Sequence, residues 1–284
     1  MKCSIVYVVL TVGFIGTFTE AFWPYENIPK VWPCPIDTEF LPCECKFSQA
    51  TYDIFIDCSD AKTDEELTNA FKGDFPFPDA YNLTIDQSTC TDCNLQSINQ
   101  ETFGPVSFKY VAIENTGIET IEQEAFGNSH ATLIDLMLSN NNIQKFPFEA
   151  LPSYVVLTSL YLDWNQFDET SIIPNIESAS LQVLDLSNNP KLSFATASVV
   201  ANCPNIEEVY FSNGNFYDVP IKVTEPISMF SGLQYIKTVS FQDNHISQLQ
   251  SNTFVADENT FVSVDLSYNN IADIREDFVS GAVS

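Results

Sequence analysis

The stretch LIDLMLSNNNI at residues 133–143 decides the fold, because similar stretches recur along the chain. Leucine-type residues occupy its first, fourth, sixth and eleventh positions, and asparagine occupies its ninth. Five clear copies begin at residues 133, 157, 181, 236 and 261, and three weaker copies begin at 80, 108 and 206. Successive copies start 24 to 30 residues apart. A repeat of this length predicts a solenoid of stacked units.

The spacing L-x-x-L-x-L-x-x-N-x-L is the signature of the leucine-rich repeat. One repeat cannot bury its own apolar edge, so neighbouring repeats stack and share a core. We therefore predict an α/β repeat solenoid, a leucine-rich repeat horseshoe of about eight repeats with a parallel sheet on its concave side. In this fold Leu136, Leu160 and Leu184 lie as nearest neighbours in one column. The return segments should add a second apolar layer that includes Phe103, Phe126, Leu151, Phe230 and Phe254.

Asparagine at the ninth position turns the chain inward, so its buried side chain must bond the backbone of adjoining coils. We predict a ladder of such side chains that consists of Asn141, Asn165, Asn189, Asn244 and Asn269. Ser88, Thr116 and Gly214 occupy the same column in the weaker copies. The first two can bond in part and Gly214 cannot, so we expect the sixth coil to be the weakest.

Acidic residues dominate the charge of the chain. Its 284 residues include 38 Asp and Glu against 11 Lys and Arg, which gives a formal net charge of -27. Such a surface repels nucleic-acid phosphates and anionic membranes, so we expect neither as a partner. The chain has two histidines and lacks the G-x-S-x-G, H-E-x-x-H and glycine-rich phosphate motifs. We therefore expect no enzyme activity, no cofactor and no metal site.

The chain begins with the features of a secretory signal peptide. Lys2 precedes an almost uncharged apolar run at residues 3–18, and Ala21 offers a small residue for cleavage. This pattern predicts a signal peptide at residues 1–21 and a secreted, extracellular protein, with an uncleaved anchor as the alternative. The rest of the predicted organisation is an N-terminal arm at 22–33, a cysteine-rich cap at 34–79 and the repeat solenoid at 80–284.

Four cysteines, Cys34, Cys43, Cys45 and Cys58, directly precede the first repeat. The terminal coil of a solenoid exposes its core, and a small disulfide-bonded unit can cap it. Spacing alone allows three pairings of these cysteines. Zinc binding is the alternative, but a secreted chain without a nearby histidine favours disulfides.

Three further cysteines lie within the repeats. Cys90 and Cys93 form a C-x2-C pair. For this pair we favour a disulfide that pins the turn after the first repeat strand over a redox dithiol. Cys203 falls in a return segment, where we expect a free and inert thiol in the core.

Positions between the leucine-type residues point away from the core and form rows across the coils. Tyrosine and tryptophan anchor interfaces because they bury much area at small entropic cost, and carboxylates steer a basic partner. The concave face is thus a candidate protein-binding surface, and its candidate partner-binding residues are Tyr110, Asp135, Tyr161, Asp163, Trp164, Asp185, Glu208, Tyr210, Asp265 and Tyr268. The alternative is an ordinary solvated sheet face.

Asn82 and Thr84 belong to a sequon for N-linked glycosylation in the first repeat strand. The repeat register turns Asn82 outward on the concave side, so we expect a glycan there if the chain enters the secretory pathway. That glycan would mask the N-terminal end of the face and shift a ligand toward the later coils.

Several stretches resemble one group of arthropod secreted proteins. They are WPCP at residues 32–35, the acidic cysteine cap, FPFPDAYNLTI at 75–85 and DLMLSNNNIQKFPF at 135–148. Together with the repeats, they resemble relatives of the leucine-rich, non-catalytic subunit of the coelenterazine-type shrimp luciferase, a luciferin 2-monooxygenase. In that family the subunit carries no active site and supports a separate small catalytic subunit.

The cysteine cap resembles the N-terminal flanking cap of extracellular leucine-rich repeat proteins, in which the first cysteine pairs with the third and the second with the fourth. This resemblance implies the bonds Cys34–Cys45 and Cys43–Cys58. Such proteins commonly carry a second disulfide cap at their far end. No cysteine follows Cys203 in this sequence, so we expect no C-terminal cysteine cap.

The resemblance and the composition of the face imply a secreted, non-catalytic, protein-binding scaffold. It would be an accessory or stabilising subunit of a luciferase-like monooxygenase complex, and its partner would be a basic or small catalytic subunit. Two alternatives stay open, namely an extracellular protein that recognises immune-type or glycan ligands and a structural matrix protein.

Overall fold

The structure, a computed structural model, describes residues 33–168, 176–193, 199–219, 221–222, 227–256 and 261–278. The predicted signal peptide at residues 1–21 and nearly all of the predicted arm at 22–33 lie outside the described residues and stay predictions. Within the described ranges, no helix has the length and apolar character that a bilayer crossing requires.

One ten-stranded sheet organises the fold. It begins with an antiparallel hairpin of β1 (Glu44–Phe47) and β2 (Ile54–Asp57). Eight parallel strands follow, one for each repeat, and they are β3 (Asp79–Asp86), β5 (Ser107–Glu114), β7 (Asp135–Met137), β8 (Ser159–Tyr161), β9 (Val183–Asp185), β10 (Glu208–Tyr210), β13 (Thr238–Ser240) and β15 (Ser263–Asp265).

Leucine-type residues of successive strands are paired in register. Leu136 pairs with Leu160, and Leu160 pairs with Leu184, so the predicted column of nearest neighbours is confirmed. All three side chains are fully buried. Since full burial of such a side chain contributes about 1.5–3 kcal/mol, this column is a principal source of stability. The predicted leucine-rich repeat solenoid with a parallel sheet is confirmed.

The return segments contain short strands and turns. In parallel pairs, β4 (Ser97–Ile98) lies beside β6 (Thr120–Ile121), and β14 (Gln248–Leu249) lies beside β16 (Asp273–Ile274). An antiparallel pair, β11 (Ile221–Lys222) and β12 (Ile227–Ser228), and two 3-10 helices, Gly127–Ser129 and Phe148–Ser153, are also present. The predicted second apolar layer is confirmed, because the structure buries Phe103, Phe126, Leu151, Phe230 and Phe254.

The cap continues the sheet of the repeats. Strand β2 pairs in parallel with β3, which places Ile56 beside Leu83 in the core column. Two helices, α1 (Asp37–Phe40) and α2 (Asp64–Ala70), complete the cap. Thr63 caps α2 because its hydroxyl accepts a hydrogen bond from the Glu66 amide at 3.2 Å. The Asp64 carboxylate accepts hydrogen bonds from the backbone amides of residues 96 and 97 at 2.8 and 3.1 Å, which ties α2 to β4.

Two disulfides hold the cap together, and they join Cys34 to Cys45 and Cys43 to Cys58. This pairing confirms the one that the family resemblance implied. Each bond closes a short loop, of 11 and 15 residues. In a chain-entropy model, closing a loop of this length stabilises the fold by about 3 kcal/mol.

The cysteines of the repeats differ in state. Cys90 and Cys93 are joined by a disulfide in the turn after β3. Cys203 is a buried free thiol whose sulfur lies 3.5 Å from the carbonyl oxygen of Ile176. Burial raises the pKa of Cys203 to about 12, so the thiol stays protonated and is a poor nucleophile.

The predicted asparagine ladder is present. The Asn141 amide nitrogen donates to the carbonyl oxygens of Ile113 and Leu138 at 2.8 and 2.9 Å, and its oxygen accepts from the Thr116 amide at 2.9 Å. The other members repeat this pattern, and they are Asn165, Asn189, Asn244 and Asn269. Each side chain therefore joins its own coil to the preceding one.

The weaker copies depart from the ladder in two ways. The prediction for Ser88 is wrong, since Ser88 is exposed and the buried residue is Gln87, whose amide nitrogen donates to the Ala61 carbonyl oxygen at 2.5 Å. At Gly214 a rung is missing, as predicted. A Cβ at Gly214 would lie 2.9 Å from the Phe216 ring, which therefore fills the space of the absent side chain. Whether the sixth coil is the weakest stays a prediction.

Candidate functional site

The sheet face consists of the strand residues whose side chains point away from the core. Strand pairing aligns them in two rows. Row one contains Phe55, Asn82, Tyr110, Asp135, Ser159, Val183, Glu208, Thr238 and Ser263. Row two contains Asp57, Thr84, Ala112, Met137, Tyr161, Asp185, Tyr210, Ser240 and Asp265.

The ten candidate partner-binding residues lie on this face and along one edge of it. Row one holds Tyr110, Asp135 and Glu208, and row two holds Tyr161, Asp185, Tyr210 and Asp265. Asp163 and Trp164 lie shortly after β8, and Tyr268 lies shortly after β15. Strands lie about 4.8 Å apart, so the six steps from Tyr110 to Asp265 extend over about 29 Å. The candidate residues thus form an extended strip and do not converge on one pocket.

Tyrosines and carboxylates alternate in the centre of row two. In the strand register, Asp185 lies next to Tyr161 on one neighbouring strand and next to Tyr210 on the other. The Tyr210 hydroxyl donates a hydrogen bond to a carboxylate oxygen of Glu208 at 2.7 Å. Burial, together with this hydrogen bond, raises the pKa of Tyr210 to about 12. The phenol is therefore a neutral donor at physiological pH, and its ring is half-buried.

The carboxylates of the face have no cationic partners within the part of the chain that the structure describes. The ion pairs found there join Lys46 to Glu44, Lys62 to Asp92 and Lys237 to Glu207, and the His130 ring nitrogen lies 3.7 Å from a Glu124 carboxylate oxygen. None of them includes Asp135, Asp163 or Asp185. The negative charge of the centre of the face is therefore available to a partner.

Burial and like charges raise the pKa values of two carboxyl groups near the centre. For Asp185, burial is the main cause, and the charge of Asp163 adds to it. For Glu114, burial is again the main cause, followed by the charges of Asp86 and Asp163. A cation placed among these groups would stabilise their ionised forms, because a nearby opposite charge favours the charged carboxylate.

A column of left-handed residues, here called the edge column, borders the sheet face. Its φ angles lie between 50° and 57°, and it consists of Asn115, Asn140, Trp164, Asn188, Asn213, Asp243 and Tyr268. Asparagine and aspartate adopt this conformation readily because their side chains bond locally, whereas other L-residues lose about 1–2 kcal/mol in it. Trp164 and Tyr268 are the exceptions, and they are 56% and 77% exposed.

Asparagines of the edge column bond one another across coils. The Asn140 side-chain amide donates to the Asn115 oxygen, and the Asn213 amide donates to the Asn188 oxygen at 2.9 Å. Trp164 lies in the coil between the coils of Asn140 and Asn188, and it interrupts this series. The sequence carries the signal, since the eighth position of the repeat is Asn or Asp in five of the seven coils of the column.

The sequence reasoning missed an aromatic strip at the N-terminal end of the face. The Tyr81 ring lies 5.4 Å from Phe55 and 5.0 Å from Tyr110, measured between ring centroids. The Lys109 ammonium group lies 5.7 Å from the Tyr81 centroid. Only Tyr110 was predicted, because Phe55 precedes the first repeat and its place in row one depends on the cap hairpin.

Asn82 lies beside this aromatic strip, between Phe55 and Tyr110 in row one. Its side-chain nitrogen donates to the Thr84 hydroxyl at 3.3 Å. Its side-chain oxygen is buried and has no hydrogen-bond partner among the described residues. The sequon asparagine is half-buried on the sheet face.

The repeats, the capped end and the open sheet face define a leucine-rich repeat protein. Residues 106–167 match the family described as leucine rich repeat. Fibromodulin of Sus scrofa is 32% identical over 147 residues, which cover 50% of this chain and 90% of that relative. The chain belongs to the leucine-rich repeat family.

Another relative carries a more specific name. The Oplophorus-luciferin 2-monooxygenase non-catalytic subunit of Oplophorus gracilirostris is 31% identical over 185 residues, which cover 64% of this chain and 49% of the relative. The chain thus spans about half the length of that relative. Among solved structures, the crystal structure of the APL1 leucine-rich repeat domain aligns with a TM-score of 0.47 at 19% identity, over 69% of this chain and 46% of that one.

Proposed function

We propose that this chain is a secreted, non-catalytic scaffold that binds a protein through its sheet face. The partner presents a basic surface to the acidic centre of the face. By similarity to the non-catalytic luciferase subunit, the partner is the catalytic subunit of a luciferin-monooxygenase-type complex, and this chain is its accessory or stabilising subunit.

The observation that carries the proposal is the alternation of tyrosines with unpaired carboxylates in register. Asp185, between Tyr161 and Tyr210, makes no ion pair with a described residue. Surface ion pairs contribute only about 0.2–1 kcal/mol each, whereas a buried aromatic anchor contributes about 2 kcal/mol or more. We therefore assign the strength of binding to the tyrosines, and the choice of partner and the rate of association to the carboxylates.

Two features support a non-catalytic role. The luciferase relative is named a non-catalytic subunit. The candidate residues also extend along a strip of about 29 Å, which suits contact with a protein surface better than enclosure of a small substrate.

The direct test measures binding to the purified catalytic subunit of a coelenterazine luciferase. The wild-type chain is compared with Tyr161→Ala/Tyr210→Ala and with the control Tyr52→Ala, an exposed aromatic in the turn of the cap hairpin. The double variant should bind at least about tenfold more weakly, and the control should bind like the wild type. Equal binding by all three proteins would refute the proposal that the sheet face binds the partner. The wild-type chain should also lengthen the half-life of the luciferase, and no change would remove the luciferase role.

Glycan recognition is the second candidate function, and the aromatic strip favours it. Phe55, Tyr81 and Tyr110 offer neighbouring rings at one end of the face, and sugar rings stack on such surfaces. A glycan array would show saturable binding that Tyr81→Ala abolishes. Binding that survives this substitution, or no binding, would exclude the strip as a glycan site.

We also propose that Asn82 carries an N-linked glycan. The sequon at residues 82–84 and the partly exposed position on the sheet face support this proposal. A glycan there would cover the aromatic strip and leave the acidic centre open, so it would favour the protein-binding function over recognition of free glycans.

A further inference from the structure

We propose that Trp164 anchors a cationic side chain of the partner, and that the chain keeps this tryptophan although its fold favours asparagine there. The inference deepens the proposed function and rests on it. The chemistry assigned to the partner is an arginine or lysine on a basic protein surface. Arginine suits the site better, because its planar guanidinium stacks on an indole ring while it pairs with a carboxylate.

The backbone of Trp164 is fixed by both neighbouring coils. Its amide donates to the Ser187 carbonyl oxygen at 3.0 Å, and its own carbonyl oxygen accepts from the Asn141 amide at 3.1 Å. These bonds hold the residue in the left-handed conformation, with φ at 54°. The indole is therefore presented at a defined place on the edge of the sheet face, and 56% of the residue is exposed.

The fold by itself favours asparagine at this place. Five of the seven residues of the edge column are Asn or Asp, and Asn140 and Asn188 flank Trp164 in the two adjacent coils. An asparagine at 164 would remove the left-handed strain and could join the flanking side chains, as Asn213 joins Asn188. A bulky aromatic in a strained and exposed position points to a role outside the fold.

The surroundings of Trp164 determine the charge of its ligand. Asp163 precedes it on the face, where its carboxylate accepts a hydrogen bond from the Ser139 hydroxyl at 2.5 Å. Asp185 lies on the next strand, and the charge of Asp163 acts on it. Neither carboxylate pairs with a cation among the described residues. A cation within about 6 Å of the indole would interact with the ring, and the negative charge of these two carboxylates would attract it to this part of the face.

The test uses the full secreted chain and a nine-residue arginine peptide as the probe. Peptide affinity is measured by titration calorimetry and thermal stability by circular dichroism, for the wild type, Trp164→Asn and Asp163→Asn/Asp185→Asn. The matched control is Tyr52→Asn. Tyr52 is also left-handed, with φ at 62°, and 80% exposed, but it lies in the cap hairpin turn.

Trp164→Asn should weaken peptide binding about tenfold and raise the thermal midpoint by about 2–4 °C. The control Tyr52→Asn should leave binding unchanged. Weaker binding together with a higher thermal midpoint distinguishes an anchor from a structural residue. Replacement of a residue that stabilises the fold would lower the midpoint.

Each of the other outcomes refutes one stated part of the proposal. If Trp164→Asn binds like the wild type while Asp163→Asn/Asp185→Asn binds more weakly, the anchor is wrong and the acidic face stands. If neither variant binds more weakly, or the wild type does not bind the peptide, both the anchor and the basic partner of the proposed function are wrong. If Trp164→Asn lowers the thermal midpoint, Trp164 is a structural residue.

Discussion

Replacement of Asn141 by alanine tests how the coils are held together. Asn141 is 5% exposed, and its side chain makes four hydrogen bonds: two from Thr116, through the backbone amide at 2.9 Å and the hydroxyl at 2.5 Å, and two to the carbonyl oxygens of Ile113 and Leu138. The neighbouring Asn142 is exposed, and its side chain makes no hydrogen bond with the described residues. The adjacent pair Asn141→Ala and Asn142→Ala is thus a matched comparison.

The expected loss follows from the groups that Asn141→Ala leaves behind. The Leu138 carbonyl oxygen keeps a hydrogen bond from the Asn165 amide at 2.8 Å, so its loss is small. The Thr116 amide is buried and loses its acceptor, which costs about 1–3 kcal/mol. With about 1 kcal/mol for each of the other bonds that are not replaced, the free energy of unfolding should fall by about 3–5 kcal/mol. Asn142→Ala should change it by less than about 0.5 kcal/mol.

Urea unfolding of the oxidised protein measures both values. Circular dichroism and fluorescence should be followed together, because repeat arrays can unfold in parts and coincident transitions are needed for a single free energy. A loss below about 1 kcal/mol for Asn141→Ala, similar to that for Asn142→Ala, would refute the reasoning that the asparagine ladder joins the coils.

Three further predictions concern titration, thiol chemistry and modification. Burial raises the pKa of Asp185, so ionisation of this carboxyl group destabilises the fold as the pH rises through that pKa. Asp185→Asn should therefore raise the thermal midpoint near pH 7 but not in acid. Hydrogen bonds from Ser267 lower the pKa of Asp265, so Asp265→Asn should have the opposite effect: a lower midpoint near pH 7, with the difference lost as the pH falls through that pKa. Equal pH profiles of the two variants would contradict both assignments. Iodoacetamide near pH 8 should leave Cys203 unlabelled in the native protein and label it after unfolding, as mass spectrometry can show, whereas native labelling would contradict a buried thiol with a pKa of about 12. The secreted protein should lose one glycan in Thr84→Ala and keep it in Thr84→Ser, which preserves the sequon, and an unmodified wild type would exclude the glycan at Asn82.

The sequence predicted the repeats well because their geometry has few free parameters. Once each coil contributes a leucine-type residue such as Leu160 at the fourth position, stacking fixes the register of the neighbouring strands. The same register places Asp185 and Tyr210 side by side, although they lie 25 residues apart in the chain. The rows of the sheet face are therefore predictable from the sequence of the repeats.

The cap could not be predicted in the same way, because it does not follow the repeat. Strands β1 and β2 lack the leucine spacing, so their addition to the sheet and the resulting place of Phe55 beside Asn82 were missed. The repeat spacing predicts Ser88 in the asparagine column, whereas the structure buries Gln87 instead. At Trp164 the sequence shows only a departure from asparagine at the eighth position of the repeat. The strain that follows from this departure is recognised only from the left-handed backbone conformation.

The central claim is that a partner covers the sheet face, and carboxylate labelling of the native complex tests it most directly. The complex isolated from the native secretion and the free chain are each labelled with a carbodiimide and an amine, and the modified sites are mapped by mass spectrometry. On binding, Asp135, Asp163, Asp185 and Glu208 should lose most of their labelling, while the exposed return-side residues Glu122 and Glu149 keep theirs. Unchanged labelling of the four face residues, together with protection of the return side, would contradict the claim.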